Sequence, residues 1–178
     1  KNKNKYFLFK YKIDNKKFIF NYTGGISKHE GLDYLILAAK ELIKKNNQVL
    51  FLIVGDGEYL SDCRELVRSL NLNKYFIFTG WVDYSLIENV LDISDCVIVP
   101  MPKVKASNPI ISFKLLESLA AGKLIVASNT DGIQEVVDSK SCIIAEIMNK
   151  RDFATKLNLA TEKSSLKKNK MINQGKKI

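Results

Sequence analysis

Two rhythms of apolar residues alternate along the chain. The first is the short continuous run: Phe18–Thr23, Gln48–Val54, Tyr75–Thr79, Cys96–Pro100, Leu124–Ser128 and Cys142–Ala145. These runs are apolar throughout rather than at every second position, the pattern of strands covered on both faces. The second rhythm recurs every three or four residues. Asp33–Lys45 sets Leu35, Ala38, Ala39, Leu42 and Ile43 at helical spacing, and Glu58–Leu70 does so with Leu60, Leu66, Val67 and Leu70. Further helices are predicted over Ser85–Leu91, Ile110–Ala121, Gln134–Val137 and Arg151–Lys163, the last fraying where lysines replace large apolar residues. Strict strand–helix alternation predicts an α/β fold: three layers, α/β/α, around a mostly parallel sheet of about six strands.

Such sheets bind ligands outside the carboxyl ends of their strands. Glycines stand at those ends: Gly24-Gly25 after the first run, Gly55-Asp56-Gly57 after the second, Gly80 after the third. Glycine also closes tight turns for purely conformational reasons, so the placement alone does not decide. No Gly-Lys-Ser/Thr phosphate loop occurs, and the dinucleotide fingerprint is absent.

The segment after Pro100 holds more chemistry. Asn108 is a candidate cap with Pro109 at the first helical position, and a helix N-terminus suits a phosphate. Lys114 lies in the second turn and adds a point charge; Glu117, three residues on, lies on the same face. A carboxylate accepts two hydrogen bonds and suits the vicinal hydroxyls of a ribose. An ordinary Lys114–Glu117 surface pair explains the spacing equally well.

Composition narrows the classes. The chain has 178 residues, 46% apolar and 26% charged, which fits a globular domain of ordinary size. No apolar run is long enough to span a bilayer, and no secretory leader pattern opens the chain. Cys63, Cys96 and Cys142 are neither paired nor clustered, so they read as small buried residues. His29 is the only histidine, which excludes a multi-histidine metal site within the chain, and it reads as a surface residue. The net charge of +9 is uneven: residues 1–17 carry +6 and residues 150–178 carry +7, leaving the middle at −4. Lysine supplies 25 of the 28 basic residues, whereas base-reading surfaces favour arginine, so a nucleic-acid partner is not expected. Asp56 reads as a turn former, and Trp81 as a packing residue with stacking on a base as the alternative.

An ordered set of motifs over about Tyr11 to Asp138 resembles the C-terminal, nucleotide-sugar-binding half of a GT-B glycosyltransferase of family 4, the group 1 transferases. Asn21-Tyr22-Thr23-Gly24-Gly25-Ile26 with Gly31-Leu32-Asp33 is similar to the opening strand, loop and helix of that family. Leu52-Ile53-Val54-Gly55-Asp56-Gly57, Ile77-Phe78-Thr79-Gly80-Trp81-Val82 and Ser94-Asp95-Cys96-Val97-Ile98-Val99-Pro100 resemble its next three strands. Lys114-Leu115-Leu116-Glu117-Ser118-Leu119-Ala120-Ala121-Gly122-Lys123 matches its signature helix, and Asp131-Gly132-Ile133-Gln134-Glu135-Val136-Val137 the turn beyond.

The resemblance implies a Rossmann-like half of a GT-B fold and transfer of a sugar from a nucleotide-sugar donor, with retention, without a metal or cofactor. It implies that Gly24, Gly25, Lys28, Ser112, Phe113 and Lys114 hold the donor diphosphate, that Glu117 holds the ribose, and that Gly55, Asp56 and Gly57 form a nucleotide loop. Catalytic residues are expected largely in an N-terminal acceptor-binding domain, with 1–17 as the lead-in from it, 18–149 as the donor domain, and 150–178 as a terminal helix and basic tail. The chain is thus read as a piece of a longer enzyme of polysaccharide or glycolipid synthesis, cytoplasmic and peripheral at the inner membrane face, where a lipid-linked acceptor would lie. A non-catalytic nucleotide-binding module and a GT-B sugar-nucleotide epimerase are the alternatives. The sequence departs from the family pattern in four places, one of them Leu124, which stands where Pro is commoner and bears on packing. Gly25 and Glu30 stand where Arg and Lys are usual, leaving Lys28 as a substitute cation. Pro109 stands where the signature has its first acid.

Overall fold

A computed structural model of the chain describes residues 5–101, 113–137, 142–147 and 149–175. Six strands form one parallel sheet: β1 (Phe18–Thr23), β2 (Val49–Val54), β3 (Phe76–Phe78), β4 (Cys96–Val99), β5 (Leu124–Ser128) and β6 (Cys142–Ala145). Their order is β3-β2-β1-β4-β5-β6, and every neighbouring pair is parallel. This is the doubly wound order whose direction reverses between β1 and β4, and such a reversal opens a crevice at the carboxyl edge.

The helices are α1 (Lys5–Lys10), α2 (Leu32–Lys45), α3 (Leu60–Ser69), α4 (Ile87–Ile93), α5 (Phe113–Ala120), α6 (Asp131–Gln134) and α7 (Lys150–Gly175). One face of the sheet packs against α2, α3 and α7 as a single core, including Phe20, Phe51 and Phe76 with Leu35, Leu42, Val67, Phe153 and Leu157. Phe20, Phe51 and Phe76 stack across three adjacent strands with centroids 5.1 and 4.8 Å apart. The other face carries two smaller cores. One joins Phe7, Ile13, Ile19, Leu52, Val90 and Ile93; the other joins Val99, Leu115, Ile125, Ala127 and Ile133.

Several element ends differ from expectation. Within the stretch 1–17, read from sequence as a lead-in, α1 forms and Phe7 is 1% exposed. The short helix expected over Gln134–Val137 begins at Asp131, where Thr130 is extended (φ −105°, ψ 155°) and an acidic residue occupies the first turn. The helix expected from Ser85 opens with a 3-10 turn, Tyr84–Leu86, because the Asp83 side chain accepts from Ser85 N–H and caps it. The terminal helix runs past Lys163 to Gly175, since no helix breaker intervenes before that glycine. Asn108, Pro109 and Ser112 lie outside the described residues. Among those described, no helix is long and apolar enough to cross a membrane.

Candidate functional site

The carboxyl edge of the sheet is laced together by its glycine turns. Gly24 N–H donates to the Val54 carbonyl and Gly55 N–H to the Gly80 carbonyl, both at 3.0 Å. All three glycine turns therefore lie at one edge, as the alternation predicts. Gly55 has φ +138°, and a Cβ there would sit 1.8 Å from the Gly24 carbonyl oxygen. At Gly57 a Cβ would sit 2.3 Å from the Ile26 carbonyl oxygen. The backbones approach too closely for any side chain. Asp56 contributes its carbonyl to Ile26 N–H at 2.9 Å and its Oδ1 to Gly57 N–H at 2.8 Å, which makes it the turn former expected.

Lys114 reaches from α5 onto this edge. Its Nζ lies 2.5 Å from Glu30 Oε2 and 3.2 Å from the Tyr22 hydroxyl, and 4.4 Å from the centroid of the Tyr22 ring. A Cβ on Gly24 would be only 3.2 Å from the same nitrogen. The Tyr22 hydroxyl lies 2.6 Å from the Gly25 carbonyl and 3.0 Å from Glu30 Oε2, sharing one proton between two acceptors. Tyr22 is fully buried, and burial together with the adjacent Glu30 charge raises its phenol well above the ordinary 10.0. The Lys114 and Glu30 side chains are 13% and 30% exposed, so the ion pair is more sheltered than a surface pair.

Glu117, one helical turn further along α5, does not pair with Lys114. Its Oε1 accepts from the Tyr84 hydroxyl at 2.8 Å. That carboxylate raises the Tyr84 phenol, first because it accepts the hydrogen bond of the protonated form and then because ionised Tyr84 would face a like charge. Glu117 itself is half-buried, and three aromatic residues at this edge of the fold are exposed: Trp81, Tyr84 and Phe113 at 71%, 75% and 81%. The packing role expected for Trp81 is not found, since most of its ring surface faces solvent.

The structure thus brings Gly24, Gly25 and Lys114 together, with Gly55, Asp56 and Gly57 behind them and Glu117 on the adjoining turn. It does not bring Lys28 to Lys114. Lys28 is exposed on the 3-10 turn Lys28–Glu30, and the member of that turn that reaches Lys114 is Glu30. His29 is exposed, its backbone N–H donating to Ser27 Oγ at 3.3 Å. Cys63, Cys96 and Cys142 are buried, and burial pushes the Cys63 and Cys142 thiols up to about 12, which leaves them unreactive. Among the described residues, no group of three or more His, Cys, Asp or Glu could hold a metal ion. A cleft of about 770 Å³ lined by Lys16, Lys17, Lys45, Gln48 and Thr161 lies away from the glycine turns.

Comparison with known proteins matches residues 4–178 to the family described as glycosyl transferases group 1. The alpha-D-kanosaminyltransferase of Streptomyces kanamyceticus is 23% identical over 129 residues, 72% of this chain and 32% of that protein. The chain spans about a third of the length of the curated relatives it matches. The C-terminal domain of a group 1 family glycosyl transferase from Francisella tularensis superposes with a TM-score of 0.75 at 25% identity, covering 93% of this chain and 85% of that one. A protein of Anabaena, HepE, solved in complex with UDP, superposes with a TM-score of 0.72 at 21% identity over 83% of this chain and 40% of its own. Fold, glycine edge and family match agree over nearly the whole length: the chain belongs to the group 1 glycosyl transferases.

Proposed function

We propose that the chain is the donor-binding half of a retaining family 4 glycosyltransferase that moves a sugar from a nucleoside diphosphate to an acceptor held by an N-terminal domain. The observation that carries this is the placement of Lys114 and Glu117 on consecutive turns of α5, Lys114 against the Gly24 turn and Glu117 half-buried under the exposed Tyr84 hydroxyl. A diphosphate at Lys114 sets the ribose one turn along, within reach of Glu117, and leaves the exposed aromatics for the base. Gly24 and Gly25 give the phosphates room to approach the backbone. Phe113 and the N–H groups at the start of α5 complete that cradle, and Gly55, Asp56 and Gly57 brace it from behind.

During transfer, negative charge develops on the departing nucleoside diphosphate. A cation and backbone dipoles already in place stabilise that charge without reorganising, so no metal is required. Glu117 accepts two ribose hydroxyls and fixes the direction of the donor. Chemistry at the anomeric carbon and recognition of the acceptor fall to the other domain. The enzyme serves glycan or glycolipid synthesis at the cytoplasmic face of a membrane. UDP is the first donor nucleotide to test, because HepE was solved with it.

The test is calorimetric titration of UDP, GDP, ADP and uridine against the 178-residue chain and Glu117→Gln. Charge-assisted hydrogen bonds contribute about 1.5–3 kcal/mol each, so the variant is expected to lose about tenfold or more in affinity for the nucleotide that binds best. Equal affinity of the two proteins would overturn the ribose assignment.

A further inference from the structure

Lys114, the group read above as the diphosphate cation, is not alone. Glu30 holds it at 2.5 Å, and the Tyr22 hydroxyl takes a second of its three protons at 3.2 Å. Both partners converge on one edge of Glu30, because Tyr22 also lies 3.0 Å from the same Oε2. Oε1 of Glu30 has no partner among the described residues, and the side chain is 30% exposed. One oxygen is held by Lys114 and Tyr22, while the other has its hydrogen-bonding capacity unused among the described residues.

The direction of a bound donor follows from α5. Glu117 is anchored toward Tyr84 in the β3–α4 connection, whereas Lys114 is anchored toward Glu30 in the β1–α2 connection. A nucleotide with ribose at Glu117 and phosphates at Lys114 therefore points its far end toward Glu30. What hangs from that end is the sugar.

We infer that Glu30 determines the charge class of the donor sugar: its free Oε1 accepts hydroxyls from a neutral sugar and repels a sugar that carries a carboxylate. This inference rests on the assignment of Lys114 to the diphosphate. The physical grounds are direct. A carboxylate is an acceptor only, so it recognises O–H or N–H donors. An acidic sugar brought beside it places two anions in a half-sheltered site where the nearest cation is already shared with the phosphates, and an unfavourable juxtaposition of this kind is an effective way to exclude a competitor. The Tyr22 phenol, raised by burial and by Glu30, stays protonated and supplies no compensating charge of its own. Hydroxyl recognition is added by Oε1, and acid rejection by the net charge of the group.

The experiment uses a matched pair of ligands, UDP-glucose and UDP-glucuronate, which differ only in replacement of a CH₂OH group by a carboxylate. Both are titrated calorimetrically against the wild-type chain, Glu30→Gln, Glu30→Asp and Lys114→Ala, with thermal melts alongside. Wild type is expected to prefer UDP-glucose by about tenfold or more. Glu30→Gln should bring the two affinities within about twofold of each other, mainly by improving UDP-glucuronate, because it keeps the shape and removes the charge. Glu30→Asp keeps the charge and should keep the preference. An unchanged preference in Glu30→Gln overturns the inference, as does a wild type that binds both ligands alike. Lys114→Ala separates the two levels. If it binds UDP as well as wild type does, or if wild type binds no UDP, the diphosphate assignment itself fails and the sugar inference falls with it. If it weakens UDP while Glu30→Gln leaves the preference intact, only the inference about Glu30 is lost.

Discussion

The two contacts made by α5 are a study in contrast. On the glycine-turn side, Lys114 is clamped by Glu30 and a buried tyrosine, beneath a backbone crossing too tight for a side chain. On the other side, the Glu117 carboxylate meets an exposed tyrosine hydroxyl as its one hydrogen-bond partner among the described residues. The first region is held by bonds within the fold itself. The second rests on an exposed hydrogen bond that costs the fold almost nothing to lose. Substitutions on the clamped side should therefore disturb stability and binding, whereas those on the open side should disturb binding alone.

The largest effect is expected at Gly55. Gly55→Ala places a methyl group inside the Gly24 carbonyl and should destabilise the chain by about 3–5 kcal/mol, read as a lower urea midpoint. A midpoint equal to wild type would show that the two turns do not hold each other. Next is Lys114→Ala. Its nucleoside diphosphate affinity should fall about tenfold or more, with uridine much less affected and the melting temperature also lowered. Unchanged melting would place the clamp with the open side. The third is an alkaline effect at Tyr22. Its native phenol is raised above the unfolded value of 10.0, so its contribution is complete below pH 10 and lost as pH climbs above it. Tyr22→Phe should flatten that alkaline decline in stability, and a decline equally steep in the variant would contradict it. The smallest is Tyr84→Phe, which removes an exposed hydrogen bond and should change stability by less than about 0.5 kcal/mol. A larger loss would mean that the open side is as built as the clamped one.

Much of the fold was legible because each buried strand writes itself as an unbroken apolar run. Each turn that must pass close to another writes itself as glycine. The six strands and the single glycine edge follow from those two signals. Lys114 and Glu117 stood out by spacing, but spacing within a helix points to a local pair, and the true partners come from elsewhere. Glu30 is 84 positions from Lys114 and Tyr84 is 33 from Glu117, distances that no periodicity encodes. Tyr22 reads as one more aromatic in the Phe18–Thr23 run, and nothing in the sequence sets its hydroxyl apart. The helix Lys5–Lys10 was equally hidden, since the short run Tyr6–Phe9 is flanked by lysines and the burial of Phe7 shows only when β2 and α4 are in place.

The reciprocal contact between Ile19 and Asp95 has a consequence for the order of assembly. Ile19 N–H donates to Asp95 Oδ2 and Asp95 N–H donates to the Ile19 carbonyl, both at 2.9 Å, across 76 positions of sequence. The contact sits at the entry to β4 and fixes where that strand joins β1. As the chain leaves the ribosome, β1, β2 and β3 can pair early, but one side of β1 then stays bare until residue 99 has emerged. An unpaired apolar strand edge is a template for sticking to other chains, and non-local pairing is slow to close. The interval between synthesis of β3 and arrival of Asp95 is therefore the period in which the nascent chain is most prone to aggregate, and the crevice at the carboxyl edge, which needs both β1 and β4, exists only after it ends.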